Sequence, residues 1–181
     1  MISNKSEAIS RLAPYLEQIR VWVAEAESAY KRLDPSIRMI HSPRTRSSNI
    51  SDYIKSSVYQ SIIGQEDSNP NIRVRYHYGS LRILIEDKFQ LTFKKVDKNL
   101  KPSYIHTNRQ TRFYNHDHFG QNEFIGMPQE VTNIYAGYLW EPLDNSQIYL
   151  VCPDGNSILW HIELVEPQGQ TIGETIPETN Q

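Results

Sequence analysis

An α+β fold is predicted, with two N-terminal helices packed on a mostly antiparallel sheet of about six strands. Two observations predict it. Apolar residues recur at steps of three and four over the first third of the chain and at steps of two beyond it. The two patterns follow one another instead of interleaving, which separates helices from strands instead of building a doubly wound sheet.

Leu12, Leu16, Ile19, Val23, Ala26, Tyr30 and Leu33 alternate steps of four and three and so share one stripe of a long helix. Pro14 sits near its start, where a missing N–H costs little, so the regular helix is expected to begin there after a short turn or helix. The stripe serves either the protein's own core or a partner helix, and three heptad turns favour the core. After Asp34-Pro35 comes a basic loop, RMIHSPRTRSS, with Arg38, His41, Arg44 and Arg46. A second helix then carries Ile50, Ile54, Val58 and Ile62 on one face, with Ser48 as its N-cap and Gly64 closing it. QEDSNPN is a linker of turn formers.

Beyond it the period changes to two. In IRVRYHY, Ile72, Val74, Tyr76 and Tyr78 alternate with Arg73, Arg75 and His77, the pattern of a half-buried strand. Gly79-Ser80 marks a hairpin turn, LRILI and FQLTFKKV are the next strands, and Glu86-Asp87-Lys88 is the turn between them. Thr107 followed by Gln110 resembles a capping box, which predicts a short helix from about Asn108 to Tyr114. VTNIYAGYLWE, SQIYLVC and SILWHIEL read as three further strands joined by PLDN and PDGN turns. Residues 1–165 are thus read as one domain and 166–181 as a polar, mobile tail.

Composition narrows the function classes. The chain has 181 residues, enough to bury one core, and 19 Lys and Arg against 21 Asp and Glu give a net charge of −2. No whole-molecule field therefore draws it to nucleic acid or to an anionic membrane, and any such binding must be local. One cysteine, Cys152, allows no internal disulfide, and no run approaches the roughly 20 apolar residues of a membrane helix. A cytoplasmic protein without cofactor is the expectation.

Four places carry residue types suited to chemistry or binding. In RFYNHDHFGQNEF, His116 and His118 bracket Asp117, and with Asp117, His106 or Glu123 the two histidines can complete a divalent site, although the surrounding Gly and Asn favour a hydrated loop. Arg112 and His118 have the Arg-x5-His spacing with which a helical nuclease holds charge and moves a proton, a chemistry that needs an unbroken helix between them. Glu86-x-Lys88 imitates the carboxylate-x-lysine signature of metal nucleases, with Asp67 upstream, but a hairpin turn explains the same residues. Arg73, Arg75 and His77 share a strand face that Arg82 can join from the neighbouring strand, a phosphate-binding patch or a solvated sheet face. Cys152 reads as a buried small hydrophobe.

The phrases SSNISDYI, LTFKKVDKNLKPS, IGMPQEVTNIYAGYLWEP and VCPDGNSILWHIEL resemble a small bacterial protein family without an assigned activity. Its genes lie beside helix-turn-helix repressors, some fused to a zinc-peptidase-like domain, in arrangements resembling toxin–antitoxin or mobile-element modules. The resemblance covers most of residues 47–165 and carries no catalytic motif. This chain also departs from it, because the family's turn at Glu86-Asp87-Lys88 is Asp-Gly-like and its members lack the His-Asp-His.

The resemblance implies a non-catalytic bacterial module that binds a protein partner, in a toxin–antitoxin, phage-defence or mobile-element setting. Its expected contact surfaces are the first-helix stripe, exposed aromatics at Tyr138, Trp140 and Trp160, and the edge strands. The alternative is a nuclease or nucleic-acid-binding protein using Arg73, Arg75 and Arg82 with the His116/His118 loop.

Overall fold

The structure, a computed structural model, describes residues 1–62, 69–77, 79–103, 107–117, 126, 128, 130–139 and 147–165. Asp67, Gly64, His106, His118, Glu123, Trp140 and the tail 166–181, which the sequence analysis singled out, lie outside the described residues.

The predicted helical stripe is real but interrupted. Helix α1 spans Lys5–Leu12, a 3-10 turn covers Ala13–Tyr15, and α2 spans Leu16–Lys31. The Asn4 side chain caps α1 by accepting from the Glu7 N–H, and Pro14 falls where the helix tightens, its lost donor absorbed by the turn. Leu12, Ile19, Val23, Ala26 and Tyr30 are all buried in the main core, so the stripe is spent internally and offers no partner seam.

The basic loop is a correction. Asp34 accepts from the Ser36 N–H and caps a six-residue helix α3, Pro35–Ile40, with Pro35 at its first position. Helix α4 then begins at Pro43 and runs to Ile62, so Ser48 lies inside it and caps nothing. Asp34-Pro35 and Ser42-Pro43 each open a helix in the stretch read as a loop; Ser42 Oγ accepts from the Thr45 N–H at 3.1 Å. Ile50, Ile54 and Val58 of α4 pack with α2, and the Trp22 indole N–H donates to Ser61 Oγ at 2.6 Å.

Six strands form one sheet in strictly sequential order: β1 Ile72–His77, β2 Ser80–Ile85, β3 Phe89–Lys95, β4 Thr132–Tyr138, β5 Ile148–Asp154 and β6 Ser157–Glu163. Every neighbour pair is antiparallel except β3 and β4, which run parallel from Phe89↔Thr132 to Lys95↔Tyr138. A parallel pair requires a crossover, and residues 96–131 supply it. Within that crossover lies α5, Asn108–Tyr114, capped by Thr107 as the sequence predicts.

Register assigns the two faces. Leu81, Ile83, Ile85, Phe89, Leu91, Ile134, Ala136, Leu150 and Cys152 face α1, α2 and α4 and form the main core. On the opposite face lie Arg73, Arg75, Arg82, Gln90, Thr92, Lys94, Asn133 and Tyr135. Helix α5 covers the middle of that face, where Phe113, Tyr114, Tyr135, Val151, Val96 and Leu100 form a second cluster. No helix of the described residues is long and apolar enough to cross a membrane.

Candidate functional site

His116 is a backbone fastener. Helix α5 ends at Tyr114, and the next residues close a Schellman turn: His116 N–H donates to Phe113 O at 3.3 Å and Asp117 N–H to Arg112 O at 2.9 Å. His116 occupies the left-handed position with φ 52°, where glycine is usual. Its ring compensates by joining two strands. Nδ1 accepts from the Asn133 N–H of β4 at 3.0 Å, and Nε2 lies 2.7 Å from Pro153 O of β5, which assigns the proton to Nε2. With both nitrogens engaged, the ring has no lone pair to offer a metal or a reacting proton.

The helical-nuclease geometry fails for a related reason. The helix stops two residues after Arg112, and Arg112 instead faces Asp117 at 3.8 Å on the surface. Cys152 is buried 3.9 Å from His116 Nε2, and burial, then the nearby Asp154 charge, pushes its thiol up to about 12. A thiol so placed is not a nucleophile at neutral pH. Among the described residues no three His, Cys, Asp or Glu side chains are grouped as a metal site.

Glu86-Asp87-Lys88 is the hairpin turn. Glu86 and Asp87 both have positive φ, 53° and 51°, and the Lys88 N–H donates to Ile85 O at 3.0 Å, the geometry of a type I′ turn. The Glu86 carboxylate accepts from Tyr15 and Arg11, and Lys88 Nζ is 3.9 Å from Glu7, so this end of the sheet is tied to α1. Left-handed Asp is strained where Gly is not. Asp87→Gly is expected to raise stability by about 0.5–1 kcal/mol despite losing the exposed Arg73–Asp87 pair, read as a higher urea midpoint at unchanged slope.

The arginine face divides. Arg73 pairs with Asp87, and Arg75 sits directly across from Arg82 in the ladder. Arg82 is only 4% exposed, its guanidinium 4.6 Å from the centre of the Phe113 ring, so it is packed under α5 and is no open phosphate contact. Lys94, on the same face, is held near 8 by burial and then by the like charges of Arg82 and Arg109. The expected aromatic surface is likewise reversed. Tyr138 and Trp160 are buried, and the Trp160 indole N–H donates to Ser3 O at 2.9 Å, fastening the N-terminus to β6.

What sequence reasoning passed over is α3. None of its six residues is buried, and Ile37, Met39 and Ile40 are 45%, 82% and 81% exposed. Beside it lies a pocket of about 270 Å³ lined by Tyr30, Pro35, Arg38, Met39 and Arg46. The Tyr30 hydroxyl at its floor is 3.1 Å from His41 Nδ1. Arg38 Nε is shielded from solvent without a hydrogen-bond partner, and neither Arg38, Arg44 nor Arg46 forms an ion pair with a described carboxylate. Arg46 Nε reaches only the His41 carbonyl, at 3.4 Å. The signal was present as Met39-Ile40 amid arginines, after an N-cap Asp and an N1 Pro.

The fold and these sites define an α+β protein with an apolar, basic-rimmed surface at one corner. No family model, curated protein or solved structure matches the chain.

Proposed function

We propose that this is a non-catalytic module that binds a protein partner through α3, in the bacterial cytoplasm and in a toxin–antitoxin, phage-defence or mobile-element setting. The observation that carries the reading is that α3 buries none of its residues while presenting Met39 and Ile40 to solvent. A one-and-a-half-turn helix is not stable by its own hydrogen bonds, and most helices owe their stability to a packed apolar face. Here caps hold α3 in place and its apolar side chains wait for a second surface. The engaged His116 ring, the I′ turn at Glu86 and the packed Arg82 lend no comparable support to a nuclease.

Affinity capture of the full chain from its host, beside a Met39→Ser/Ile40→Ser variant, tests this reading. Both changes are on the surface and are expected to leave the fold intact. A stoichiometric protein held by the wild type and lost with the variant is the expected result. A protein captured equally by both, or nucleic acid alone that leaves in high salt, overturns it.

A further inference from the structure

The sheet ends in two unlike edges. The first, β1, carries Arg73 and Arg75, charges of the kind that keep an edge from pairing with another chain. The last, β6, has no strand on its outer side among the described residues, and from Trp160 to Glu163 it holds no Lys, Arg or Pro. That stretch is the regular part of β6, because the register shift at Cys152/Pro153 leaves Leu159 as a bulge that bends the strand.

Hydrogen-bond alternation fixes what this edge offers. The Leu164 N–H donates to Ile148 O at 2.8 Å, so Leu164 and Ile162 turn their backbone groups toward β5. His161 and Glu163 therefore turn their N–H and C=O groups outward, and among the described residues nothing donates to or accepts from them there. Both side chains are exposed on one face of the strand. Tyr149 is the ladder partner of Glu163, and its ring stands edge-on to the His161 ring with centres 6.1 Å apart. Ile162 lies on the other face, packed against the main core.

We propose that this edge pairs with the same edge of a second copy, antiparallel about a two-fold axis at Ile162, so that two six-stranded sheets become one continuous sheet. Only residues with outward backbone groups exchange hydrogen bonds, which restricts the axis to His161, Ile162 or Glu163. An axis at His161 sets the two imidazoles opposite each other and Glu163 against the Leu159 bulge. At Glu163 it sets two carboxylates face to face. At Ile162 each His161 lies opposite Glu163 of the second copy, and each such pair exchanges both N–H···O bonds. The same register places Ile162 against Ile162 and Trp160 against Leu164 of the second copy. Complementary pairs directly across a ladder stabilise it and like charges oppose it, so side-chain chemistry selects this register. The contact is isologous and consumes both β6 edges, so it stops at two copies. It is independent of the reading of α3.

Sedimentation equilibrium of the full chain over a concentration series tests this, and a monomer–dimer equilibrium is expected. His161→Glu sets carboxylates across from one another and is expected to weaken the dimer about tenfold or more. His161→Glu/Glu163→Lys restores opposite charges and is expected to return the dissociation constant to within about threefold of the wild type. Both positions are exposed, so these variants are expected to keep the fold. Crosslinking reads the register directly. Ile162→Cys brings two thiols together at the axis and is expected to form a covalent dimer with oxidised glutathione, whereas Leu159→Cys, three residues from the axis in each copy, is not. A chain that stays monomeric at millimolar concentration, a dimer indifferent to His161→Glu, or a crosslink at Leu159→Cys in place of Ile162→Cys overturns the proposal. A dimer abolished by Met39→Ser/Ile40→Ser places the contact at α3 and overturns it as well.

Discussion

His116→Ala is expected to lower the stability of the fold by about 2–4 kcal/mol, and the apparent Tm by roughly 5–15 °C for a domain of this size. Three losses add. The Asn133 N–H and the Pro153 carbonyl each lose the imidazole partner that links β4 and β5 to the end of α5. Asn133 is almost wholly buried, so its N–H cannot turn to water, and an orphaned buried donor costs about 1–3 kcal/mol. Alanine is also no better than histidine at positive φ. His116→Gly separates the terms: it relieves the backbone but still removes the ring, and should recover about 1 kcal/mol of the alanine loss. If instead the alanine variant melts with the wild type, the ring is not the fastener described here.

The second large effect runs the other way. Lys94→Met is expected to stabilise the protein at neutral pH by up to about 2–3 kcal/mol. Lys94 sits mostly buried on the α5 face of the sheet, where burial and then Arg82 and Arg109 bring its ammonium down from 10.5 to about 8. Its folded-state value therefore lies below its unfolded value. Between pH 8 and 10.5 the unfolded chain holds more protons than the folded one, so this group's contribution to stability rises with pH across that window. Below pH 8 both states are charged and the folded state bears the whole penalty. Methionine removes the charge while keeping most of the stem's packing. The measurable outcome is a difference in urea unfolding free energy between variant and wild type that is largest at pH 7 and closes by about pH 10. A variant less stable than wild type at pH 7 contradicts the assignment.

The two effects also show which parts of the molecule could be read in advance. Step-of-three-and-four periodicity placed the core stripe from Leu12 to Tyr30, and alternation placed all six strands, because each pattern is a direct image of which side chains the element buries. Local chemistry went further at Thr107, whose side chain does cap α5, and at Glu86-Asp87-Lys88, whose turn is where the flanking strands require it. Local chemistry also misled. Asp34-Pro35 and Ser42-Pro43 resemble loop punctuation, yet each opens a helix, since the same residues that end one element cap the next.

The residues singled out for chemistry changed meaning only in three dimensions. Arg82 alternates correctly for an exposed strand face, but the crossover that carries α5 covers that face and seats Phe113 on it. Tyr138 and Trp160 read as surface aromatics until register turns them toward α1 and α2. His116 lies 17 positions from Asn133 and 37 from Pro153, a separation over which no local pattern is informative.

By itself the sequence determined the class of the fold, the order of its six strands, the core stripe and the Glu86-Asp87-Lys88 turn, because these follow from side-chain periodicity and short-range hydrogen bonding. Only the tertiary structure decided that β3 and β4 run parallel, that α5 shields the arginine face, that His116 holds strands together, and that α3 stands uncovered. Those outcomes depend on which distant surfaces meet, and burial is a property of the meeting, not of either segment alone.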